Sequence, residues 1–107
     1  MKYLKKLLFP EKKNLTEELS DYLQEIFDEF KIPEIPFHKL GYDFSWCCRS
    51  NGVYIHFVPE DKFQKIYNYL IKLKSTIEKR LKRKIEINII TINLVSKVEY
   101  HLVILIN

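Results

Sequence analysis

A run of cations ends the longest helical segment of the sequence. Between positions 72 and 84 the chain carries seven basic residues: Lys72, Lys74, Lys79, Arg80, Lys82, Arg83 and Lys84. Clusters of this kind bind nucleic acid by neutralising phosphates and releasing counterions, and the sequence pI of about 9.0 agrees with such a role. The alternative is a solvated or paired face. The helix dipole favours cations near a C-terminus whatever the function, and an acidic helix packed beside a basic one can complement its charge.

Cys47 and His56 form the second group that could do chemistry. They lie on either side of a predicted hairpin turn, in a register that places them directly opposite each other. A thiol beside an imidazole is the minimum requirement for an activated nucleophile. The sequence indicates no oxyanion donor, orienting group or cleft around the pair, and this favours a structural cysteine and a surface histidine.

Arg49 and Tyr54 are predicted on the same face of that hairpin. An exposed arginine and tyrosine on a sheet can stack an unpaired base, as they do in sheet-based RNA-binding proteins. The aromatic residues Phe44, Trp46 and Phe57 fall on the opposite face, where we expect them to pack in the core.

The sequence contains none of the motifs typical of enzymes and metal proteins. It has no phosphate-binding loop, no metal-ligand cluster and no nucleophile elbow, so we expect a non-enzymatic protein without a cofactor or metal. Cys47 and Cys48 are adjacent and make neither a disulfide framework nor a four-ligand zinc site. With no signal peptide and no apolar run near the ~18 residues of a membrane span, we expect a cytoplasmic protein with no membrane insertion.

Charge is segregated along the chain. Residues 14–34 carry one cation and seven acids, whereas residues 60–84 carry nine cations and three acids. Residues 1–13 add five cations and one acid. Because the acidic segment would repel a polyanion, nucleic-acid binding requires that segment to face away from the basic ones.

Two amphipathic helices are predicted from apolar residues that recur at steps of three and four. The first covers residues 15 to about 31, with Asn14 as its cap, an acidic polar face, and Pro33 preventing its continuation. The second starts at Pro59 and runs to about Lys82.

The first hairpin is predicted from the dipeptide Asn51-Gly52. This pair favours a two-residue type I′ turn between strands over residues 42–50 and 53–58. The turn fixes the register, and it places Trp46 opposite Phe57 on the core face.

The predicted fold is one α+β domain over residues 1–107, with a short basic N-terminal segment followed by helix–hairpin–helix–hairpin. The second hairpin joins residues 85–94 to residues 98–106, and its apolar residues on both faces indicate that both faces are partly covered. This order predicts a four-stranded antiparallel sheet with two helices on one face, a permuted ferredoxin-like arrangement. The N-terminal segment 1–9, or a second copy in a homodimer, is expected to cover the open sheet face.

These observations favour a small nucleic-acid-binding protein that holds DNA or RNA. The residues expected at the interface are Lys72, Lys79, Arg80, Lys82, Arg83, Lys84, Arg49 and Tyr54. The alternative is a protein–protein adaptor or oligomeric accessory subunit, which binds through its acidic helix or apolar sheet face. The absence of alanine and the ratio of fifteen Lys to three Arg are typical of an AT-rich genome, and they suit an accessory protein of a mobile element or virus.

Overall fold

Three helices pack on a four-stranded antiparallel sheet in the computed structural model, which describes residues 14–107. The helices are α1 (Leu15–Tyr22), α2 (Gln24–Glu29) and α3 (Glu60–Leu81), and a 3₁₀ turn spans Phe37–Lys39. The strands are β1 (Ser45–Arg49), β2 (Gly52–Val58), β3 (Ile85–Asn93) and β4 (Val98–Ile106), in the order β1-β2-β4-β3. The predicted α+β class and antiparallel sheet are confirmed, whereas the expectations for residues 1–13 lie outside the described residues.

The predicted order helix–hairpin–helix–hairpin is wrong at its first element, because the helix expected over residues 15–31 is two helices. At Leu23 the backbone has φ −92° and ψ −3°, and its carbonyl accepts a bond of 2.9 Å from the Ile26 N–H, three residues on. This is a 3₁₀-type turn, which is tighter than an α-helical turn. It separates α1 from α2 in front of two consecutive core residues, Ile26 and Phe27.

The core lies between the helices and the face of the sheet that carries Trp46. The Trp46 ring stacks on the Phe27 ring of α2, with centroids 4.2 Å apart and an interplanar angle of 9°. Helix α3 contributes a buried stripe that is continuous with this pair: Ile66, Leu70, Ile77 and Leu81. Burying each such side chain stabilises the fold by roughly 1.5–3 kcal/mol.

The register of the first hairpin differs from the prediction by two residues. Arg49 pairs with Gly52 and Cys47 with Tyr54, so Ser50 and Asn51 form the turn. Neither Asn51 nor Gly52 has a positive φ, which excludes the predicted type I′ turn. Gly52 is needed for another reason, since a Cβ at this position would overlap the backbone carbonyl of Ile104 on β4.

A β-bulge in β2 displaces Phe57 from its predicted place in the core. The pairing with β4 shifts between Ile55 and Val58, and Phe57 takes a left-handed backbone with φ 54°. The extra residue lets Val58 occupy the core position, at 4% exposure. The Phe57 ring instead contacts the His101 ring on the other face of the sheet, with centroids 4.8 Å apart.

The second hairpin has one well-covered strand and one half-exposed strand. In β4, Leu102 faces the helices and Val103 faces outward, and both are buried. In β3, Ile90 and Ile92 face outward and are 46% and 41% exposed. Both faces of β4 are therefore covered, and the outward side chains of β3 are partly covered, which agrees with the expectation of at least partial cover.

Candidate nucleic-acid interface

The chain reversal at the C-terminal end of α3 brings the basic residues close together. Lys82 caps the helix in a left-handed conformation, with φ 57° and ψ 37°, and its N–H donates to the Glu78 carbonyl. The Arg83 N–H donates to the same carbonyl at 3.3 Å. The reversal turns the chain back beside the last helical turn, so residues that follow the helix lie next to Lys79.

Four cations line one open cavity of about 330 Å³ at this helix end. The lining residues are Ser75, Glu78, Lys79, Lys82, Arg83 and Lys84. With four cations and one carboxylate, the lining carries a net charge of +3. Across residues 14–107, none of the four cations forms an ion pair. Their charge is therefore directed to solvent.

Glu78 anchors the cavity. Its Oε2 accepts a hydrogen bond of 3.0 Å from the Ile85 N–H at the start of β3 and lies 3.8 Å from the Lys74 Nζ. The Ile85 hydrogen bond, assisted by the charges of Lys74 and Lys84, lowers the pKa of the Glu78 carboxyl. The carboxylate ties α3 to β3 and so holds the intervening cations at the surface.

Two other predicted site residues lie apart from the cavity. The Arg80 guanidinium lies over the Tyr22 ring of α1, 5.6 Å from its centroid. Consecutive helical residues project about 100° apart, so Arg80 points to α1 while Lys79 lines the cavity. Lys72 is exposed two turns before Lys79 and is not part of the lining.

The acidic helices pack on the side of α3 away from the cavity. The Glu25 side chain of α2 lies near Tyr69 of α3 and raises the pKa of the Tyr69 hydroxyl. Tyr69 and Arg80 thus mark the flank of α3 that faces α1 and α2. The basic cavity lies on a different flank, so the requirement that the acidic segment face away is met geometrically.

Arg49 and Tyr54 lie on the outer face of the sheet, apart from the basic cavity. The Arg49 guanidinium is sandwiched between two rings, 3.9 Å from the centroid of Phe37 and 4.4 Å from that of Tyr54. Tyr54 therefore stacks on Arg49, and that face of its ring is not open to a base. Arg49 Nε is buried without a hydrogen-bond partner in the described part of the chain.

A chain of four polar side chains crosses the outer face from β1 to β4. Cys47 Sγ lies 3.5 Å from His56 Nε2, and His56 Nδ1 lies 3.3 Å from His101 Nδ1. His101 Nε2 lies 3.7 Å from Glu99 Oε2. Cys47 and His56 thus meet across a diagonal, although the register that predicted them directly opposite is wrong. His101 is not among the predicted site residues, and the β2–β4 register brings it next to His56.

The hydrogen bonds assign the tautomers along this network. The Phe57 N–H donates to His101 Nδ1 at 3.4 Å, so this nitrogen is an acceptor. His56 Nδ1 must then donate to His101 Nδ1, which leaves His56 Nε2 to accept from the Cys47 thiol. The remaining proton of His101 is on Nε2, which is buried without a hydrogen-bond partner in the described chain and lies 3.7 Å from Glu99 Oε2.

Burial keeps both partners of the Cys47–His56 pair uncharged. Desolvation raises the pKa of the Cys47 thiol, and it lowers the pKa of His56 to about 4, with smaller contributions from His101 and Arg49. A thiol with a raised pKa is a poor nucleophile. The pair is therefore a buried contact between two neutral side chains of the sheet.

No protein-family model, curated protein or solved structure matches this chain. Among the described residues, no three His, Cys, Asp or Glu side chains group closely enough to hold a metal ion. Over the same residues, the helices are too short or too polar to cross a membrane.

Proposed function

We propose that this protein binds the phosphate backbone of nucleic acid through the basic cavity at the end of α3. The observation that carries the proposal is the convergence of Lys79, Lys82, Arg83 and Lys84 on one open cavity without ion-pair partners among residues 14–107. Several unpaired cations close together neutralise adjacent phosphates and release their counterions. Glu78 is the single acid in the lining, and its carboxylate is already engaged by Ile85 and Lys74.

The proposed role is binding without catalysis. The Cys47–His56 pair is the closest approach to a nucleophile–base pair in the described chain, and burial keeps its thiol protonated. Arg49 and Tyr54 stack on each other, which supports a contribution to packing more than to base stacking. We place DNA or RNA at the basic cavity, with Lys72 as a peripheral contact.

Titration against duplex DNA, single-stranded DNA and RNA at several salt concentrations tests this proposal. The variant to compare with wild type replaces Lys79, Arg83 and Lys84 by Gln, which leaves the left-handed Lys82 untouched. Losing three phosphate contacts should reduce the slope of log K against log salt by about 2.7 for duplex DNA or about 2 for single strands.

The matched control replaces three lysines outside the cavity by Gln: Lys39, Lys65 and Lys97. All three are exposed, so the control loses the same formal charge. We expect it to keep the wild-type salt slope. An equal reduction of the salt slope in both variants would mean that binding follows net charge alone. No salt-dependent binding to any of the three nucleic acids would contradict the proposal.

A second candidate function, a protein–protein adaptor, is favoured by an apolar depression of about 240 Å³ on the outer sheet face. The residues that line it are Arg49, Tyr54, His56, Ile90, Ile92, His101 and Val103. An apolar peptide would bind there with little dependence on salt, in contrast to a polyanion.

The fold itself supports a permuted ferredoxin-like arrangement, which we propose as its finer description. Two α-β-β units and the strand order 1-2-4-3 are what results when the first strand of a β-α-β-β-α-β unit moves to the C-terminal end. The split of the first helix into α1 and α2 is a local departure from that arrangement.

A further inference from the structure

Strand β3 is an edge strand whose free side has no backbone partner among residues 14–107. The opposite edge of the sheet, β1, is protected by the preceding chain. The Ile35 N–H donates to the Trp46 carbonyl at 3.0 Å, and the Trp46 N–H donates to the Pro33 carbonyl at 3.0 Å. Within residues 14–107 the two edges of the sheet therefore differ, and β3 is the one that presents a long open edge.

The pairing with β4 shows which groups of β3 point to the open side. At one end the Leu94 N–H donates to the Lys97 carbonyl, and at the other the Asn107 N–H donates to the Lys84 carbonyl. Hydrogen-bonded pairs alternate along an antiparallel ladder, so the even-numbered residues of β3 bond to β4 and the odd-numbered residues point away. The outward residues with no hydrogen-bond partner in the described chain are Ile87, Ile89, Thr91 and Asn93.

The side chains that flank this open edge are apolar on both faces of the sheet. Ile89, on the helix side, is 45% exposed, and Ile90 and Ile92, on the outer side, are 46% and 41% exposed. Glu86 is the single charge in the strand. Natural edge strands avoid association through lysine, proline, bulges or short length, and β3 has none of these over nine residues.

We infer that β3 pairs antiparallel with β3 of a second copy of this chain, so that two sheets join into one of eight strands. An antiparallel edge is self-complementary about a two-fold axis, and no other partner sequence is needed. Overlap of all nine residues places Ile89 opposite the partner's Ile89 and Ile85 opposite the partner's Asn93. Odd residues then face odd residues, so the outward N–H and C=O groups meet. Glu86 falls opposite the partner's Ile92, which avoids a pair of like charges.

The dimer also sets the spacing of the two basic cavities, a step that rests on the proposed function. Paired residues of a sheet face the same side, so both α3 helices lie on one face and run in opposite directions. Lys84 is five residues from Ile89, and the two copies of Lys84 are ten residue steps apart, or about 34 Å at about 3.4 Å per residue. This matches one turn of B-DNA, about 34–36 Å.

Sedimentation velocity over a range of concentrations tests the dimer without nucleic acid. We expect wild type to be a dimer and two edge variants, Thr91→Pro and Ile89→Lys, to be monomers with wild-type circular dichroism. Proline at position 91 removes an N–H that points away from β4, so it leaves the β3–β4 ladder intact. The control, Val95→Lys, adds the same charge at a fully exposed turn residue beyond the paired segment and should remain dimeric.

Amide hydrogen exchange on wild type gives a readout that needs no variant. The amides of Ile87, Ile89 and Thr91 should be protected at dimer concentrations and exchange at least ten-fold faster after dilution to monomer. A monomer at all concentrations overturns the inference, and so does a dimer that both edge variants retain. Protection that persists in a monomer would show that the chain's own residues cover the edge, and this also overturns it.

DNA binding separates failure of the dimer from failure of the proposed function. Wild type should bind a duplex of about two turns at least ten-fold more tightly than one of about half a turn, and Thr91→Pro should lose this preference while still binding both. A dimer that binds no nucleic acid refutes the proposed function and leaves the edge pairing standing. A monomer that binds nucleic acid, with a salt slope that falls when the cavity cations are replaced, refutes the edge pairing and leaves the proposed function standing.

Discussion

Lowering the pH from 7 to 5 should destabilise this fold through one buried side chain, His56. Its imidazole contacts Cys47 of β1 and His101 of β4, with Arg49 and the Tyr54 ring nearby. Burial, followed by the electrostatic effect of the neighbouring His101 and Arg49 side chains, lowers its pKa from 6.5 to about 4. The folded protein therefore excludes a proton that the unfolded chain accepts.

The size of the effect follows from proton linkage. Below the unfolded pKa of 6.5 the unfolded chain binds a proton at this position and the folded state does not, until the pH reaches about 4. The stabilisation is fully present above pH 6.5 and is lost as the pH falls, by up to 1.36 kcal/mol for each pH unit. Between pH 6.5 and 5 this amounts to about 2 kcal/mol.

Urea unfolding at half-unit steps from pH 5 to 7.5 measures this loss directly. In this window the carboxyl of Glu78, whose ordinary pKa is 4.5 and is lowered further, stays ionised and contributes little to the slope. His56→Gln removes the titrating group and should flatten the dependence of the free energy of unfolding on pH. His38→Gln is the matched control, since His38 is exposed on the 3₁₀ turn, and it should keep the wild-type slope. A wild-type slope that survives in His56→Gln would refute the reasoning.

Three further outcomes follow from the packing. Trp46→Ala should lower the free energy of unfolding in urea by about 3–5 kcal/mol, because Trp46 is in the core. Phe57→Ala should lower it by clearly less, because the bulge places Phe57 outside the core. Equal losses of stability in the two variants would contradict the bulge. Gly52→Ala should cost about 1–3 kcal/mol in thermal unfolding, since the new methyl overlaps a carbonyl of β4, whereas Gly41→Ala in open space should be nearly neutral. Cys47 should react with a disulfide reagent at pH 7.5 far more slowly than a free thiol, and rapid reaction would argue against a purely structural role.

The sequence was sufficient to predict the strands and their faces, but not how they pair. Alternation places Cys47 and His56 on the outer face, and a register slip of two residues leaves the side chains of β1 and of β2 up to His56 on their predicted faces. The bulge in β2 is the exception, because it moves Phe57 to the outer face. The predicted register is wrong because Asn51-Gly52 is a pattern typical of a turn, whereas the missing side chain of Gly52 is required by β4, about fifty positions along the chain. No local pattern carries that information.

The candidate site was predicted in part for the same reason. The charges of Lys79, Lys82, Arg83 and Lys84 are evident in the sequence, because they are consecutive or nearly so. The separation of Arg80 from them depends on how α1 packs against α3, which is a tertiary contact. The Lys74–Glu78 spacing of four residues signals a helical ion pair. That Glu78 also binds the first amide of β3 depends on the reversal at Lys82.

The pairing of β2 with β4 has a consequence for how quickly the chain finds this structure. Each hairpin joins neighbours in the sequence, but the two hairpins meet only where β2 lies beside β4, and those pairs are separated by 42 residues (Val58 and Tyr100) to 53 residues (Gly52 and Leu105). Local hairpins form in about 1–10 μs, whereas contacts this distant are closed more slowly, on the millisecond scale common for mixed domains. Helix α3 lies within that loop and, at 22 residues, spans about 33 Å, which carries the chain back along the sheet. Folding of this chain is therefore limited by the pairing of β2 with β4, and the rate of that step depends on α3.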